Sequence, residues 1–178
     1  NLEEHYGDPG FKRSVQELIS STIERLDAIV GRWSAHEDVV LIKVALDLNG
    51  VLREVAGAVT RRGSRVSPST PLPTLSLALG PLPTVWGDPY YLRDALTSLV
   101  ENALEAAAPQ GKVLVRSFSG GTGRRARAIV EIIDNGAGMS PDFVGDRLFH
   151  AFQTTKPHGV GLGLSTASQI VRFHRGTI

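Results

Sequence analysis

The chain has 178 residues, 19 Lys and Arg against 18 Asp and Glu, 42 % hydrophobic residues and no cysteine. That length allows one ordinary domain with a buried core plus an additional element. A net charge of +1 argues against a bulk polyanion such as DNA as partner, and the lack of cysteine excludes disulfide scaffolds, thiolate zinc sites and cysteine nucleophiles.

The opening residues, Asn1-Leu-Glu-Glu-His5, are not a basic and then apolar signal, and no apolar run reaches the roughly 18 residues that cross a bilayer. Asp8-Pro9 is a helix start, the carboxylate capping free N–H groups and the proline sitting at the first helical position. Val15, Ile19, Thr22, Leu26, Ile29 and Trp33 then recur at spacings of four and three, a seam suited to helix pairing. Leu18, Ile23 and Val30 widen the stripe. The bland alternative is a helix packed on its own domain.

A linker at Ser34 to Asp38 ends this helix, and Val39 to Val44 predicts a strand. Asp47-Leu-Asn49 opens a helix carrying Val51, Leu52, Val55 and Val59 on one face and fading at Arg61-Arg62-Gly63. Ser67 to Pro73 reads as a loop, Leu75 to Leu79 as a strand, and Pro89 to Ala108 as a helix with a stripe of Leu96, Leu99, Val100, Ala103 and Leu104. Lys112 to Phe118 and Ala126 to Ile133 predict a hairpin around Gly120-Gly121-Thr-Gly123. Ser140-Pro-Asp-Phe starts a capped helix, and Leu164 to His174 has the length and spacing of another. Strands and helices mixed in this order predict an α+β fold, a two-layer α/β sandwich with helices on one face of the sheet.

Four boxes carry the chemistry. Glu101-Asn102-Ala103 lies on the helix from Pro89, where the apolar stripe leaves Asn102 and Glu105 facing elsewhere. Alone, Asn102 would be a helix-surface amide. Asp134-Asn-Gly136-Ala-Gly138-Met139 follows a strand, its glycines permitting backbone geometry closed to other residues. The bland reading is a hairpin turn, against which the capped helix that follows argues. Phe149-His-Ala-Phe152-Gln-Thr154-Thr155-Lys156 comes next, with Lys156 open to reading as a solvated charge. Gly159-Val160-Gly161-Leu162-Gly163-Leu164 runs into a helix, where unpaired N–H groups and the positive end of the dipole suit an anion. It has neither the GxxxxGK[ST] of a P-loop nor the spacing of a dinucleotide fold. Gly163-Leu-Ser165-Thr-Ala167 lacks the second glycine and the preceding strand of a nucleophile elbow. Arg124, Arg125 and Arg127 read as a solvated turn.

In this order the boxes resemble the N, G1, F and G2 boxes of the ATP-binding domain of bacterial sensor histidine kinases, within the superfamily of gyrase, Hsp90 and MutL. The resemblance is specific over Asp88 to Gly176 and weak over the first helix. It implies a GHKL-type fold over residues 37–178, and for residues 1–36 the second helix of a dimerisation and phosphoacceptor hairpin. It implies ATP and Mg²⁺ as cofactors, with Asn102 holding the metal and Asp134 accepting the adenine amino hydrogen beside Gly136, Gly138 and Met139. Gly159 to Leu164 would hold the triphosphate, Phe149 and Phe152 would pack the lid, and Thr154, Thr155 and Lys156 would touch phosphate oxygens. Glu101, Asn102 and Lys156 are the candidate catalytic residues.

The resemblance further implies a response-regulator receiver domain as partner, a homodimer in the full-length protein, and a cytoplasmic kinase core that a longer parent could anchor to a membrane. The Thr-Thr-Lys run resembles the short-lid kinases related to nitrogen regulators, although Ala151 stands where proline is common there. Gyrase-like relatives carry a general-base glutamate at the position of Ser98, which weighs against the alternative of a switch ATPase. A degenerate, partner-binding module is the other alternative. None of His5, His36, His150, His158 and His174 has the acidic neighbour and following proline of the phosphoacceptor motif, so the acceptor is expected outside this chain, which reads as a fragment ending where a further strand is natural.

Overall fold

A computed structural model describes residues 41–66, 72–107, 109–146, 148–150 and 161–178. The expected seam helix and the Ser34 to Asp38 linker lie outside the described residues. The chain divides after Leu41, and the described residues beyond it belong to the unit Ile42–Ile178.

This unit opens with strand β1, Val44–Leu46, and helix α1, Leu48–Val66. The described strand starts where the predicted one, Val39 to Val44, was to end. Helix α1 also runs past the expected break at Gly63, where the Leu72 side chain fills the space beside the glycine. Leu48, Val51, Leu52, Val55 and Val59 form its buried stripe at helical spacing. Strand β2 is Thr74–Leu79, and a three-residue strand not foreseen from the sequence, β3, Val85–Gly87, pairs antiparallel with β1.

Helix α2, Pro89–Ala106, is capped by Asp88, whose carboxylate accepts from the backbone N–H groups of Tyr90 and Tyr91. Strands β4, Lys112–Gly120, and β5, Arg127–Asp134, form the expected hairpin. Short helix α3, Pro141–Asp146, follows, with the Ser140 hydroxyl accepting from the Phe143 N–H at 3.3 Å. Helix α4, Gly163–Phe173, comes last.

The main sheet is mixed, in the order β2-β4-β5, with β2 parallel and β5 antiparallel to β4. Alternation along β4 puts Val113, Val115 and Ser117 under the helices, while Leu114, Arg116 and Phe118 take the other face. There Arg116 pairs with its cross-strand partner Glu131, whose hydrogen bond and charge raise the guanidinium pKa further above its ordinary value. Leu52, Val55, Val100, Val113 and Val115 are fully buried between helices and sheet. Helices on one face of a mixed sheet make the two-layer α/β sandwich that the element order predicted.

A half-buried polar clip joins α1 to this sheet. Asn49 donates to the Gly80 carbonyl at 2.8 Å and accepts from the Ser117 hydroxyl at 2.7 Å. These bonds satisfy groups that would otherwise be desolvated without a partner.

Candidate functional site

Helix α2 is apolar on two faces, and the site grows from the second. Leu96, Val100 and Ala103 pack towards α1 and the sheet, whereas Leu92 and Ala95 pack against Ala167 and Ile170 of α4. The small pair Ala95 and Ala167 brings the two helices close. Gly163 lies against Ser98 and Asn102, and His174 lies against Asp88, so α4 runs antiparallel along α2. The glycine-led N-terminus of α4 is thereby delivered beside Asn102.

Ser98, Asn102 and Ala106 recur every four residues and share one helical stripe. Both glycine boxes meet it. A Cβ on Gly163 would stand 2.6 Å from the Ser98 Oγ and 3.7 Å from the Asn102 Nδ2. A Cβ on Gly136 would stand 2.2 Å from the Ala106 carbonyl oxygen. Segments separated by 27 positions in sequence therefore converge on one strip of helix, and at Gly136, where the neighbour is rigid backbone, only glycine comes this close.

The α4 N-terminus has the polarity that the glycine box suggests. Asp88 caps α2, but among the described residues no side chain caps α4 at Leu162, and the first-turn N–H groups of such a helix suit an anion. The Ser165 hydroxyl is turned away from that role, donating to the Leu162 carbonyl at 2.9 Å. Gly161 has φ of 71°, a left-handed conformation suited to glycine.

Asp134 ends β5 opposite Val113, and because Val113 is buried beneath the helices, Asp134 projects on the helix-bearing side. It is exposed, and its Oδ1 accepts from the Gly136 N–H at 2.9 Å. Asn135, which sequence reasoning missed, pins the backbone just after Asp134 to β4: its Oδ1 accepts from the Lys112 N–H at 2.7 Å while its own N–H donates to the Lys112 carbonyl at 3.2 Å. Gly138 has φ of 69°, and Met139 beyond it is exposed.

The structure therefore brings Gly136 and the Gly161-Leu162-Gly163-Leu164 turn to the α2 stripe that carries Asn102, with Asp134 at the end of β5 and Gly138 on the loop after it. Glu101 is differently engaged, its carboxylate held by Arg62 of α1 at 3.1 Å. Phe149 is half-buried beyond α3. Phe152, Thr154, Thr155, Lys156, Gly159 and Val160 lie outside the described residues. Among the described residues there is no group of three or more His, Cys, Asp or Glu that could hold a metal ion.

This architecture has known counterparts. Residues 87–178, just over half the chain, match the family described as histidine kinase-, DNA gyrase B- and HSP90-like ATPase. The chain belongs to this family. Among curated relatives, the sensory histidine kinase/phosphatase NtrB of Azospirillum brasilense is 32 % identical over 93 % of this chain and 43 % of its own length. The sensor histidine kinase ZraS of Escherichia coli is 27 % identical over 95 % of this chain and 35 % of its own. Among solved structures, a mycobacterial sensor histidine kinase, MprB, superposes with a TM-score of 0.63 at 28 % identity, covering 75 % of this chain and 81 % of that one. The chain thus spans less than half the length of these curated relatives. The family match begins beside the Asp88 cap and takes in α2, the hairpin and both glycine boxes.

Proposed function

We propose that residues 37–178 are the ATP-binding catalytic domain of a sensor histidine kinase, transferring the ATP γ-phosphoryl group to a histidine outside this chain and thence to a response-regulator aspartate. The observation that carries the reading is the convergence of Gly136 and Gly163 on the Ser98, Asn102, Ala106 stripe. It joins an adenine-facing carboxylate loop to an anion-facing helix terminus across one asparagine.

The roles follow from the chemistry of each group. Asp134, its carboxylate held by the Gly136 N–H, accepts the exocyclic amino hydrogen of adenine. Gly136 and Gly138 keep the base close to the backbone, with Met139 alongside. The N–H groups at Gly163 and Leu164, preceded by Gly159 to Leu162, orient the triphosphate. Asn102 offers a neutral amide oxygen that suits a hard cation keeping several waters, so the donor set fits Mg²⁺. When bound, that ion neutralises charge on the phosphate oxygens. Phe149 with Phe152 shields the site, and Thr154, Thr155 and Lys156 contact phosphate oxygens. Glu101, paired with Arg62, steadies the Asn102 turn against α1. Ser98 supplies no carboxylate to activate water, which favours transfer over hydrolysis.

Residues 1–36 complete the reading as part of a helical hairpin that dimerises the full-length protein, with a cytoplasmic kinase core. Calorimetric titration of ADP and a non-hydrolysable ATP analogue, with and without Mg²⁺, tests the assignment. Micromolar, Mg²⁺-sensitive binding that Asp134→Asn weakens about 10- to 150-fold is the expected result. A folded chain that binds neither nucleotide would refute it.

A further inference from the structure

The N-terminal turn of α4 can present N–H groups to a phosphate beside Asn102 only if the whole helix is held in one register along α2. The Ala95–Ala167 contact itself offers no knob for a hole, and the larger side chains of the seam, Leu92 and Ile170, lie towards the C-terminal end of α4. A directional contact that fixes the register lies at that same end of the helix.

His174 follows the last residue of α4, and its imidazole uses both ring nitrogens. Nε2 accepts the Asp88 backbone N–H at 2.9 Å, and Nδ1 lies 2.7 Å from the Ile170 carbonyl. An acceptor at Nε2 requires the proton on Nδ1, which donates to Ile170, so the geometry selects one neutral tautomer. The ring packs beside Gly87, where a Cβ would come 3.0 Å from the His174 Cδ2 and 2.6 Å from the Leu92 Cδ1.

Asp88 is itself a junction. It is 6 % exposed; its Oδ1 caps α2 through Tyr90 and Tyr91 at 3.0 and 3.4 Å, and its Oδ2 accepts the Ile42 N–H at 2.9 Å. The Lys43 ammonium donates to the Phe173 carbonyl at 2.8 Å, tying the same helix end to the start of the unit. The residue that opens the Asn102 helix and the residue that closes the phosphate-facing helix are thus one hydrogen bond apart. That bond spans 86 positions of sequence.

We propose that His174 is a positioning residue for phosphate binding: by locking the α4 C-terminus to the Asp88 backbone, it sets the register that delivers the Gly163 turn to Asn102. The inference rests on the nucleotide reading above and adds a residue some 11 positions, or about 16 Å of helix, from the phosphates it serves. It makes a specific demand on the ligand. Asp134 stands on β5, outside the α2–α4 pair, so loss of the lock weakens recognition of phosphate and leaves recognition of adenine nearly intact.

The test compares adenosine and ADP, each titrated into ¹⁵N-labelled chain and followed by amide shifts, for the wild type, His174→Leu and His174→Gln. Gln supplies an amide oxygen to the Asp88 N–H, while Leu fills similar space with no acceptor. The expected result is ADP affinity about tenfold weaker in His174→Leu, the equivalent of one hydrogen bond, with adenosine affinity within about twofold of wild type. His174→Gln regains most of the ADP affinity, and exchange of the Asp88 amide with solvent, fast in His174→Leu, slows again. Equal losses for adenosine and ADP, or wild-type ADP affinity in His174→Leu, overturn the positioning role alone. A wild type that binds neither ligand overturns the nucleotide reading and this role with it. Should His174→Leu fail to fold, the same ADP-to-adenosine comparison on His174→Gln and His174→Asn decides, since only Gln can reach Asp88 from the Nε2 position.

Discussion

Replacing Gly136 by alanine places a methyl carbon 2.2 Å from the Ala106 carbonyl oxygen and 2.5 Å from its carbon. A carbon and a carbonyl oxygen approach no closer than about 3.3 Å even in a favourable C–H···O contact, so the overlap is about 1 Å. No rotamer change relieves it, because the obstacle is backbone in the last turn of α2. Overpacking of this kind costs about 1–3 kcal/mol, and a rigid obstacle puts Gly136→Ala at the upper end. At ~2–4 °C per kcal/mol for a chain of this size, the melting temperature should fall by roughly 4–12 °C.

Gly163→Ala is the internal control. Its methyl would stand 2.6 Å from the Ser98 Oγ, but that hydroxyl can rotate, and the next atoms lie at 3.7 and 4.0 Å. A rotamer adjustment of about 0.5–1.5 kcal/mol is set against the ~0.5–1 kcal/mol that alanine gains over glycine in a helix. Near-neutral stability is expected, with Ser98→Ala removing what cost remains. Thermal unfolding of the three variants and of Gly163→Ala/Ser98→Ala, with ADP titrations at a temperature where all are folded, is the assay. A Gly136→Ala variant as stable as wild type and binding ADP normally would refute the convergence of the two boxes on α2.

Other consequences are open to simpler tests. Asp134→Asn should weaken ADP by about 1.5–3 kcal/mol, some 10- to 150-fold, since it removes a charged hydrogen-bond acceptor; because the residue is exposed, the melting temperature should hold. Asn49→Ala strips the Ser117 hydroxyl and the Gly80 carbonyl of their partners and should destabilise the fold by about 2–4 kcal/mol in chemical denaturation, while ADP affinity measured on the folded protein stays unchanged. Steady ATP turnover by the isolated chain, followed by phosphate release, should be slow, because Ser98 stands where a general base would be needed.

How much was legible beforehand depends on whether a feature is local. The capped helices at Pro89 and Pro141, the hairpin around Gly120 to Gly123 and the glycine-led helix at the C-terminus are written in short-range signals: prolines at first turns, glycines at turns, apolar residues at period two or near 3.6. The site boxes were legible for the same reason. Strand β3 was not, because three residues, Val85-Trp-Gly87, carry no periodicity and become a strand only through pairing with β1. Nor was the end of α1, since a glycine that would stop an isolated helix is covered by Leu72, nine residues on.

The stripe of Ser98, Asn102 and Ala106 could have been drawn from its spacing of four. Which loops would land on it could not, because that depends on α4 folding back along α2. His174 shows the same limit. Inspected as a phosphoacceptor it has the wrong neighbours, and its partner, Asp88, is distant in sequence. Asn135 was within reach, since Asp-Asn-Gly is turn chemistry, but its hold on Lys112 needed the strand register.

A nucleotide bound in this site touches both glycine segments at once. ADP with Mg²⁺ titrated into isotopically labelled chain should shift the amides of Gly136, Gly138, Gly161 and Gly163 and the Asn102 side-chain amide along a single saturation curve, with Arg116 and Phe118 on the opposite face of the sheet unmoved. Shifts confined to one glycine segment, or two segments saturating at different concentrations, would contradict it.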